Sequence, residues 1–209
     1  MNAGITGVLL AGGLARRMGG GDKCLLRLDG ERILERVIAR AKPQVETLVL
    51  NANGDPSRFA EFELPVVGDV MGDFAGPLAG ILTGMEWARL ESPGTKWLVS
   101  FATDAPFLPC DMVVRFLTAA EHEHAEIVCA ISAQRTHPVF ALWSLDLKDE
   151  LKTAMINEGI RKIDNWTARY KIAHVDFEFG PGEYDPFFNV NRPENLDEAK
   201  RLLKQRGSK

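Results

Sequence analysis

Residues 5–23 read Ile5-Thr6-Gly7-Val8-Leu9-Leu10-Ala11-Gly12-Gly13-Leu14-Ala15-Arg16-Arg17-Met18-Gly19-Gly20-Gly21-Asp22-Lys23. The first six form the pattern of a buried strand, and the chain runs from them straight into glycines and basic residues. Between Leu10 and Lys23 fall five glycines and three cations, Arg16, Arg17 and Lys23. Glycines let backbone N–H groups approach a phosphate closely, and Arg and Lys supply countercharge. A strand that delivers such a loop predicts a grip on a nucleoside triphosphate. The plain alternative, a glycine-rich surface loop, is disfavoured by the buried strand in front and the cations inside.

Outward from this segment, strands and helices alternate. Cys24–Leu28 and a turn at Asp29-Gly30 lead to a helical pattern from Glu31 to Ala41, which stops at Pro43. Thr47–Leu50 reads as a second buried strand ending in the polar group Asn51-Ala52-Asn53-Gly54. Pro65–Val67 is a short third strand leading to Gly68-Asp69, and Pro77 opens a helix to about Leu90 at the position where a missing N–H is harmless. Trp97–Ala102, apolar almost throughout, reads as a central parallel strand that delivers Thr103-Asp104-Ala105-Pro106 to its carboxyl end. A helix over about Asp111–Glu123, strands at Glu126–Ile131 and Val139–Trp143, helical patterns at Leu145–Asn157 and Ile160–Arg169, a strand at Ile172–Phe177 and a last helix from Glu194 to Gln205 follow. This order predicts an α/β fold of three layers, a mostly parallel sheet covered by helices on both faces. Ligands in such sheets bind beyond the carboxyl ends of the strands, where Gly12 onward, Asn51–Asn53 and Asp104 are predicted to converge.

A chain of 209 residues can bury about 70% of its unfolded surface as one large domain, and residues 1–209 are expected to be a single domain. Apolar residues at 45% and charged residues at 26% match a soluble globular protein. A net charge of −4 argues against a nucleic-acid partner, which needs many cations to neutralise phosphates. The three cysteines, Cys24, Cys110 and Cys129, form no C-x-x-C pair and suit neither a disulfide framework nor a zinc knuckle, which points to a reducing cytoplasm. The run Ile5–Ala11 is too short for a membrane span, no positive stretch precedes it as in a signal peptide, and Arg16-Arg17 follows it rather than leading it. No membrane association is expected.

Two familiar phosphate loops do not fit. A Walker A loop needs a glycine before its lysine and a hydroxyl after it, but Asp22 and Cys24 flank Lys23. The dinucleotide fingerprint fails because neither Gly12 nor Gly13 has partners at the required offsets, and the second strand ends at Asn51 rather than at an acid for a ribose. The segment Leu10-Ala11-Gly12-Gly13 through Arg17-Met18-Gly19 to Lys23 instead resembles the signature of nucleotidyltransferases that activate sugars, pterins and isoprenoid precursors. Within that superfamily the chain resembles the molybdenum cofactor guanylyltransferase family. The likeness extends over the whole chain through Asn51-Ala52-Asn53, Gly76-Pro77-Leu78-Ala79-Gly80, Asp104-Ala105-Pro106, His137-Pro138 and Phe188-Asn189-Val190-Asn191, in order and spacing.

This resemblance implies a Rossmann-like nucleotidyltransferase fold whose N-terminal half binds the nucleotide and whose C-terminal half binds a pterin. It implies that Leu10, Ala11, Gly12 and Gly13 contact GTP through backbone groups, that Asn51 and Asp69 help read the guanosine, and that Lys23 and Arg17 face the phosphates as catalytic cations. Asp104 would bind Mg2+ with the triphosphate, Asn189 and Asn191 would lie across the cleft toward the metal or the pterin, and Arg161 or Lys162 would hold the pterin's phosphate. Guanine-using members carry two glycines at Gly12-Gly13 where cytosine-using relatives tend to have Ala-Gly. The implied partners are GTP and Mo-molybdopterin, with molybdoenzymes or their chaperones taking the product. Departures from the family pattern fall at Gly21, Cys24 and Thr136.

The residue chemistry read on its own points the same way. Asp104, after an apolar strand and before a proline, suits a hard-cation ligand, since magnesium takes one or two carboxylates plus substrate phosphates; its alternative is an N-cap, which Pro109 and Asp111 serve better. Asn191, just before Pro193, could equally cap the last helix. His122 and His124 are two apart on a helical pattern and cannot chelate from one face, and His137 reads as structural or substrate-positioning rather than a general base. Gly80 and Gly84, one turn apart, suggest close helix packing. No Ser/His/Asp or Cys/His arrangement has a useful spacing for covalent catalysis. Two other readings stay open: another nucleotidyltransferase of the superfamily, acting with cytidine or on a sugar 1-phosphate, and a non-catalytic GTP-binding subunit that delivers the cofactor.

Overall fold

The computed structural model describes residues 4–12, 22–72, 76–180 and 183–207. Among these the elements run β1 (Ile5–Leu10), β2 (Arg27–Leu28), β3 (Glu31–Arg32), α1 (Ile33–Ala41), β4 (Thr47–Asn51), β5 (Val66–Val67), α2 (Pro77–Glu91), β6 (Trp97–Ala102), α3 (Met112–Glu123), β7 (Ile127–Ser132), β8 (Arg135–Ser144), α4 (Lys148–Asn157), α5 (Ile163–Thr167), β9 (Ile172–Asp176) and α6 (Pro193–Gly207). Seven strands form one sheet in the order β5-β4-β1-β6-β8-β7-β9, while β2 and β3 form a separate hairpin. Among the described strands of the large sheet, β8 runs against the others.

Side chains alternate across a strand, so a buried parallel sheet needs apolar residues on both faces. Val8, Val49 and Leu98 pack under α2, α4 and α5 on one face. Leu9, Leu50 and Phe101 pack under α1, α3 and α6 on the other. The fold is thus the three-layer, mostly parallel α/β architecture that the alternation implies. Ser100, polar within the apolar run of β6, is fully buried and satisfied: it donates to the Val139 carbonyl at 2.6 Å and accepts from Trp143 Nε1 at 2.9 Å.

The register of the sheet sets the position of everything functional. Leu10 of β1 lies opposite Asn51 of β4 and Ala102 of β6, and Asn51 lies opposite Val67 of β5. Four strand ends therefore share one level, and two residues beyond it come Gly12, Asn53, Asp69 and Asp104. The antiparallel register of β6 and β8, with Ser100 opposite Ala141, carries the first residues of β8 to the same rim.

Helix α2 approaches this rim because two glycines permit it. A Cβ on Gly80 would lie 2.4 Å from Asn51 Oδ1 and 2.6 Å from Leu10 Cδ2, and one on Gly84 would lie 2.9 Å from Val8 Cβ. Pro77 opens α2 as expected, preceded by Gly76 at φ 79°. Three local expectations change. Glu31 and Arg32 belong to the β2–β3 hairpin, so α1 begins at Ile33. The pattern at 160–169 gives only the short helix Ile163–Thr167. The strand expected at Val139–Trp143 is the second half of ten-residue β8, joined to β7 by a two-residue turn at Ala133 and Gln134 with φ 45° and 61°.

Candidate active site

Beyond the aligned strand ends lies a cavity of about 580 Å³. Its lining joins Leu10, Ala11 and Gly12 after β1, Asn51 and Asn53 after β4, Asp69 after β5, and Thr103 and Asp104 after β6. Lys23 and Cys24, the start of α2 at Gly76-Pro77, Arg135–Phe140 of β8, and Asn189 complete it. Of the residues singled out in the sequence, Leu10, Ala11, Gly12, Lys23, Asn51, Asp69, Asp104 and Asn189 are thus brought together. Asn191 joins them through Lys23. Gly13 and Arg17 lie outside the described residues. Arg161 and Lys162 do not line the cavity, and the Arg161 guanidinium donates to the Met155 and Ile160 carbonyls at 2.6 and 2.9 Å, tying down the end of α4.

One group of polar residues is built around Asp69. Asn51 Nδ2 donates to Asp69 Oδ1 at 2.9 Å, Asn53 Nδ2 donates to Asp69 Oδ2 at 2.8 Å, and Asn53 Oδ1 accepts from the Asp69 backbone N–H at 2.8 Å. Both carboxylate oxygens are held in place, and each keeps further acceptor capacity. Asn53 is a cavity residue that the sequence placed at the right strand end without revealing its part as the second arm of this clamp. The backbone of the first loop is also partly committed. The Ala11 N–H donates to the Asn51 carbonyl at 2.9 Å, and the Leu10 carbonyl accepts from Thr103 Oγ1 at 3.1 Å. The N–H of Ala11 is therefore already engaged within the protein.

A second group centres on Lys23. Its Nζ donates to Asp104 Oδ2 at 3.0 Å and to Asn191 Oδ1 at 2.6 Å, with the Lys23 and Asp104 side chains only 16% and 19% exposed. The Asp104 carbonyl accepts from the Val190 N–H at 2.8 Å, which fixes the segment carrying Asn189 and Asn191 against the end of β6. The Asn191 side-chain oxygen is thus turned to Lys23. The Asn191 and Arg192 N–H groups ahead of α6 are met by Asn195 Oδ1 instead. Asp104 likewise lies well before α3, whose Val113 N–H is capped at 3.0 Å by the buried Gln44 from another element.

The donor set suits a hard cation. Asp104 offers a carboxylate, and the Asn189 amide oxygen, a lining residue's polar atom, is buried with no hydrogen-bond partner. Among the described residues no group of three or more His, Cys, Asp or Glu side chains gathers. A metal here would accordingly rely on substrate phosphates for much of its shell, as magnesium commonly does.

The far wall contains a trio unseen in the sequence. His137 Nε2 and Ser132 Oγ are 2.7 Å apart, and Ser132 Oγ donates to Asp185 Oδ1 at 2.8 Å. Ser132 spends its one proton on Asp185, so His137 must be the donor through Nε2. Burial holds the His137 pKa below its usual value, against the pull of Asp185 and with help from Arg135. The hydroxyl stands between the imidazole and the carboxylate, fully buried, so the trio positions His137 and does not activate a nucleophile. Burial also pushes the Cys24 and Cys129 thiols up to about 12, which keeps both protonated near neutral pH. His122 and His124 are exposed.

Residues 7–172 match the family of MobA-like NTP transferase domains. The chain is 53% identical over 196 residues to a molybdenum cofactor guanylyltransferase of Nitrobacter hamburgensis, covering 94% of this chain and 93% of that one. It is 51% identical over 195 residues to one of Rhodopseudomonas palustris, covering 93% and 92%. The fold is similar to that of the molybdopterin-guanine dinucleotide biosynthesis protein A of Archaeoglobus fulgidus, with TM-score 0.73 and 23% identity over 96% of this chain and 99% of that one.

Proposed function

The chain belongs to the molybdenum cofactor guanylyltransferase family, with a MobA-like NTP transferase domain, and on that premise we propose that it transfers GMP from Mg-GTP to the terminal phosphate of Mo-molybdopterin. The observation that carries this reading is the pairing of two differently built clusters in one cavity: the clamped Asp69 carboxylate, and the Lys23–Asp104–Asn191 group. A fixed carboxylate accepts from the adjacent N1–H and 2-amino groups of guanine, whereas adenine and cytosine present an acceptor at the corresponding ring nitrogen. The other cluster suits a triphosphate.

In the transfer, an oxygen of the pterin phosphate attacks the α-phosphorus of GTP. The new O–P bond forms as the bond to the pyrophosphate oxygen breaks, and pyrophosphate leaves with the bonding pair. The nucleophile is already an anion, so the protein's task is alignment and neutralisation of charge. Lys23 donates to phosphate oxygens in place of its contacts with Asp104 and Asn191. Asp104, with the Asn189 amide oxygen, would hold magnesium, which supplies further charge neutralisation when bound. Among the described residues, Arg135 and the oriented His137 on β8 are cavity groups placed to meet the acceptor.

This reading makes residues 1–209 one domain, nucleotide-binding in its N-terminal half and pterin-binding in its C-terminal half, that works in the cytoplasm and passes its product to molybdoenzymes or their chaperones. Among the described residues no helix is long and apolar enough to cross a membrane. The test is pyrophosphate release from metal-loaded molybdopterin with each of the four nucleoside triphosphates. Release with GTP alone is expected. Release with CTP would assign cytidylyl transfer, and GTP binding without pyrophosphate release would assign a delivery subunit.

A further inference from the structure

We propose that Arg58 is a positioning residue that couples base reading to phosphate placement, by clasping the segment of Lys23 to the segment of Asn53. The inference rests on the reading of the cavity as a GTP site. Arg58 sits in the short helical segment Pro56–Phe62, whose start is fixed by the Asp55 side chain accepting from the Ser57 N–H at 2.9 Å. All three nitrogens of its guanidinium donate. Nε donates to Asp22 Oδ2 at 2.6 Å, Nη2 to the Asn53 carbonyl at 2.5 Å, and Nη1 to the Asp55 carbonyl at 2.7 Å. The same group lies over the Phe59 ring, 4.7 Å from its centroid, and Phe59 is completely buried.

Each end of this clasp abuts a cluster of the cavity. Asp22, whose side chain is 11% exposed, is bonded in sequence to Lys23, the residue that contacts Asp104 and Asn191. Asn53 holds Asp69 by two hydrogen bonds. Hydrogen bonds and one peptide link thus run from the phosphate side to the base side, and Arg58 is the member that spans them. The planar fork meets a carboxylate and two carbonyls from three separate nitrogens, a spread that the single ammonium nitrogen of lysine does not reproduce. The turn it closes is also made for it: Gly54 has φ 84°, and a Cβ there would lie 3.1 Å from Arg58 Nη1.

Equilibrium binding of GTP, ITP and GMP to the full chain and to Arg58→Ala, Arg58→Lys, Asp22→Asn and the Arg58→Ala/Asp22→Asn double variant tests the coupling, with thermal melting alongside. ITP lacks the 2-amino group, so the GTP-to-ITP ratio reads Asp69; the GTP-to-GMP ratio reads the Lys23 side. Arg58→Ala is expected to shrink both ratios by about tenfold. Arg58→Lys, able to pair with Asp22 but not to span the carbonyls, keeps the GTP-to-GMP ratio and loses the GTP-to-ITP ratio. The double variant, which removes the carboxylate that Arg58→Ala leaves unpaired, should match Arg58→Ala in both. A lowered melting temperature with both ratios unchanged would overturn the clasp, as would full restoration of both by lysine. Preference of the unsubstituted protein for CTP over GTP would refute the GTP reading instead, and the clasp would then be judged on the CTP-to-CMP ratio in the same variants.

Discussion

Substituting Gly80 by alanine separates the packing of α2 from the reading of the base. The added methyl would stand 2.4 Å from Asn51 Oδ1 and 2.6 Å from Leu10 Cδ2, so one of these side chains must shift. Alanine favours a helix by about 1 kcal/mol over glycine, and overpacking costs about 1–3 kcal/mol. The net loss of stability is about 0–2 kcal/mol, or a fall of up to about 8 °C in melting temperature for a chain of this size. Displacing Asn51 also breaks its 2.9 Å hydrogen bond to the Asp69 carboxylate. A bond to a charged group is worth about 1.5–3 kcal/mol, which is about 10- to 100-fold in affinity. Gly84→Ala provides the control, because its methyl would meet Val8, 2.9 Å from Cβ, in the middle of β1. The assay is KM for GTP in pyrophosphate release, together with thermal melting. Gly80→Ala should raise KM by that factor and Gly84→Ala should leave it unchanged at a comparable loss of stability. Equal KM effects in the two variants would refute the link between α2 and Asn51.

Removing Lys23 as Lys23→Ala should lower kcat by about 10²- to 10³-fold, as for other preorganised charge-stabilising groups, and Asp104→Ala should lower it further; near-normal turnover of Asp104→Ala at saturating magnesium would exclude Asp104 as the metal ligand. The His137 ring, held below its ordinary 6.5 by burial, makes the folded state take up a proton less readily than the unfolded one. Its contribution to stability is complete above about pH 6.5 and is lost as pH falls toward the folded value. His137→Gln should therefore flatten the fall in melting temperature between neutral and mildly acid pH, and an unchanged slope would contradict this. At the β7–β8 turn, Ala133 and Gln134 both adopt left-handed backbone, φ 45° and 61°, which costs non-glycine residues about 1–2 kcal/mol each. Ala133→Asn with Gln134→Gly should raise the melting temperature by about 2–4 °C, and no rise would mean that the turn is not strained.

The strand-end part of the cavity was legible in the sequence because its residues follow strand ends directly. Gly12, Asn53, Asp69 and Asp104 stand two residues past Leu10, Asn51, Val67 and Ala102, and the sheet register puts those four ends level. Apolar runs that stop abruptly are enough to find them. What could not be read is how they hold one another. The pairing of Asn51 and Asn53 on one carboxylate depends on β5 lying beside β4, and the reach of Lys23 to Asp104 crosses from one loop to another. Arg58 left no sequence signal at all, since an arginine in a polar turn reads as an ordinary solvated side chain until Asp22 is found beside it.

The β8 wall of the cavity was harder for a topological reason. Strand β8 runs against its neighbours, so its beginning rather than its end reaches the rim, and residues at a strand's start carry no flag in a pattern of ends. The turn that makes this possible, Ala133-Gln134, has none of the Asn-Gly or Asp-Gly character that announces a two-residue hairpin, so Arg135–Pro138 fell outside the expected strand Val139–Trp143. Ser132, His137 and Asp185 then meet only because that hairpin folds back and the segment before α6 closes over it. The same closure delivers Asn189 and Asn191 to the edge of the Lys23–Asp104 group, through the Val190 N–H on the Asp104 carbonyl. A substitution that loosens this segment, such as Asp185→Ala, should therefore act at both ends: it frees Ser132 and the His137 ring, and it weakens the backing of Asn191 on Lys23. Loss of turnover with GTP affinity intact would confine Asp185 to the acceptor side; loss of both together is what the shared segment requires.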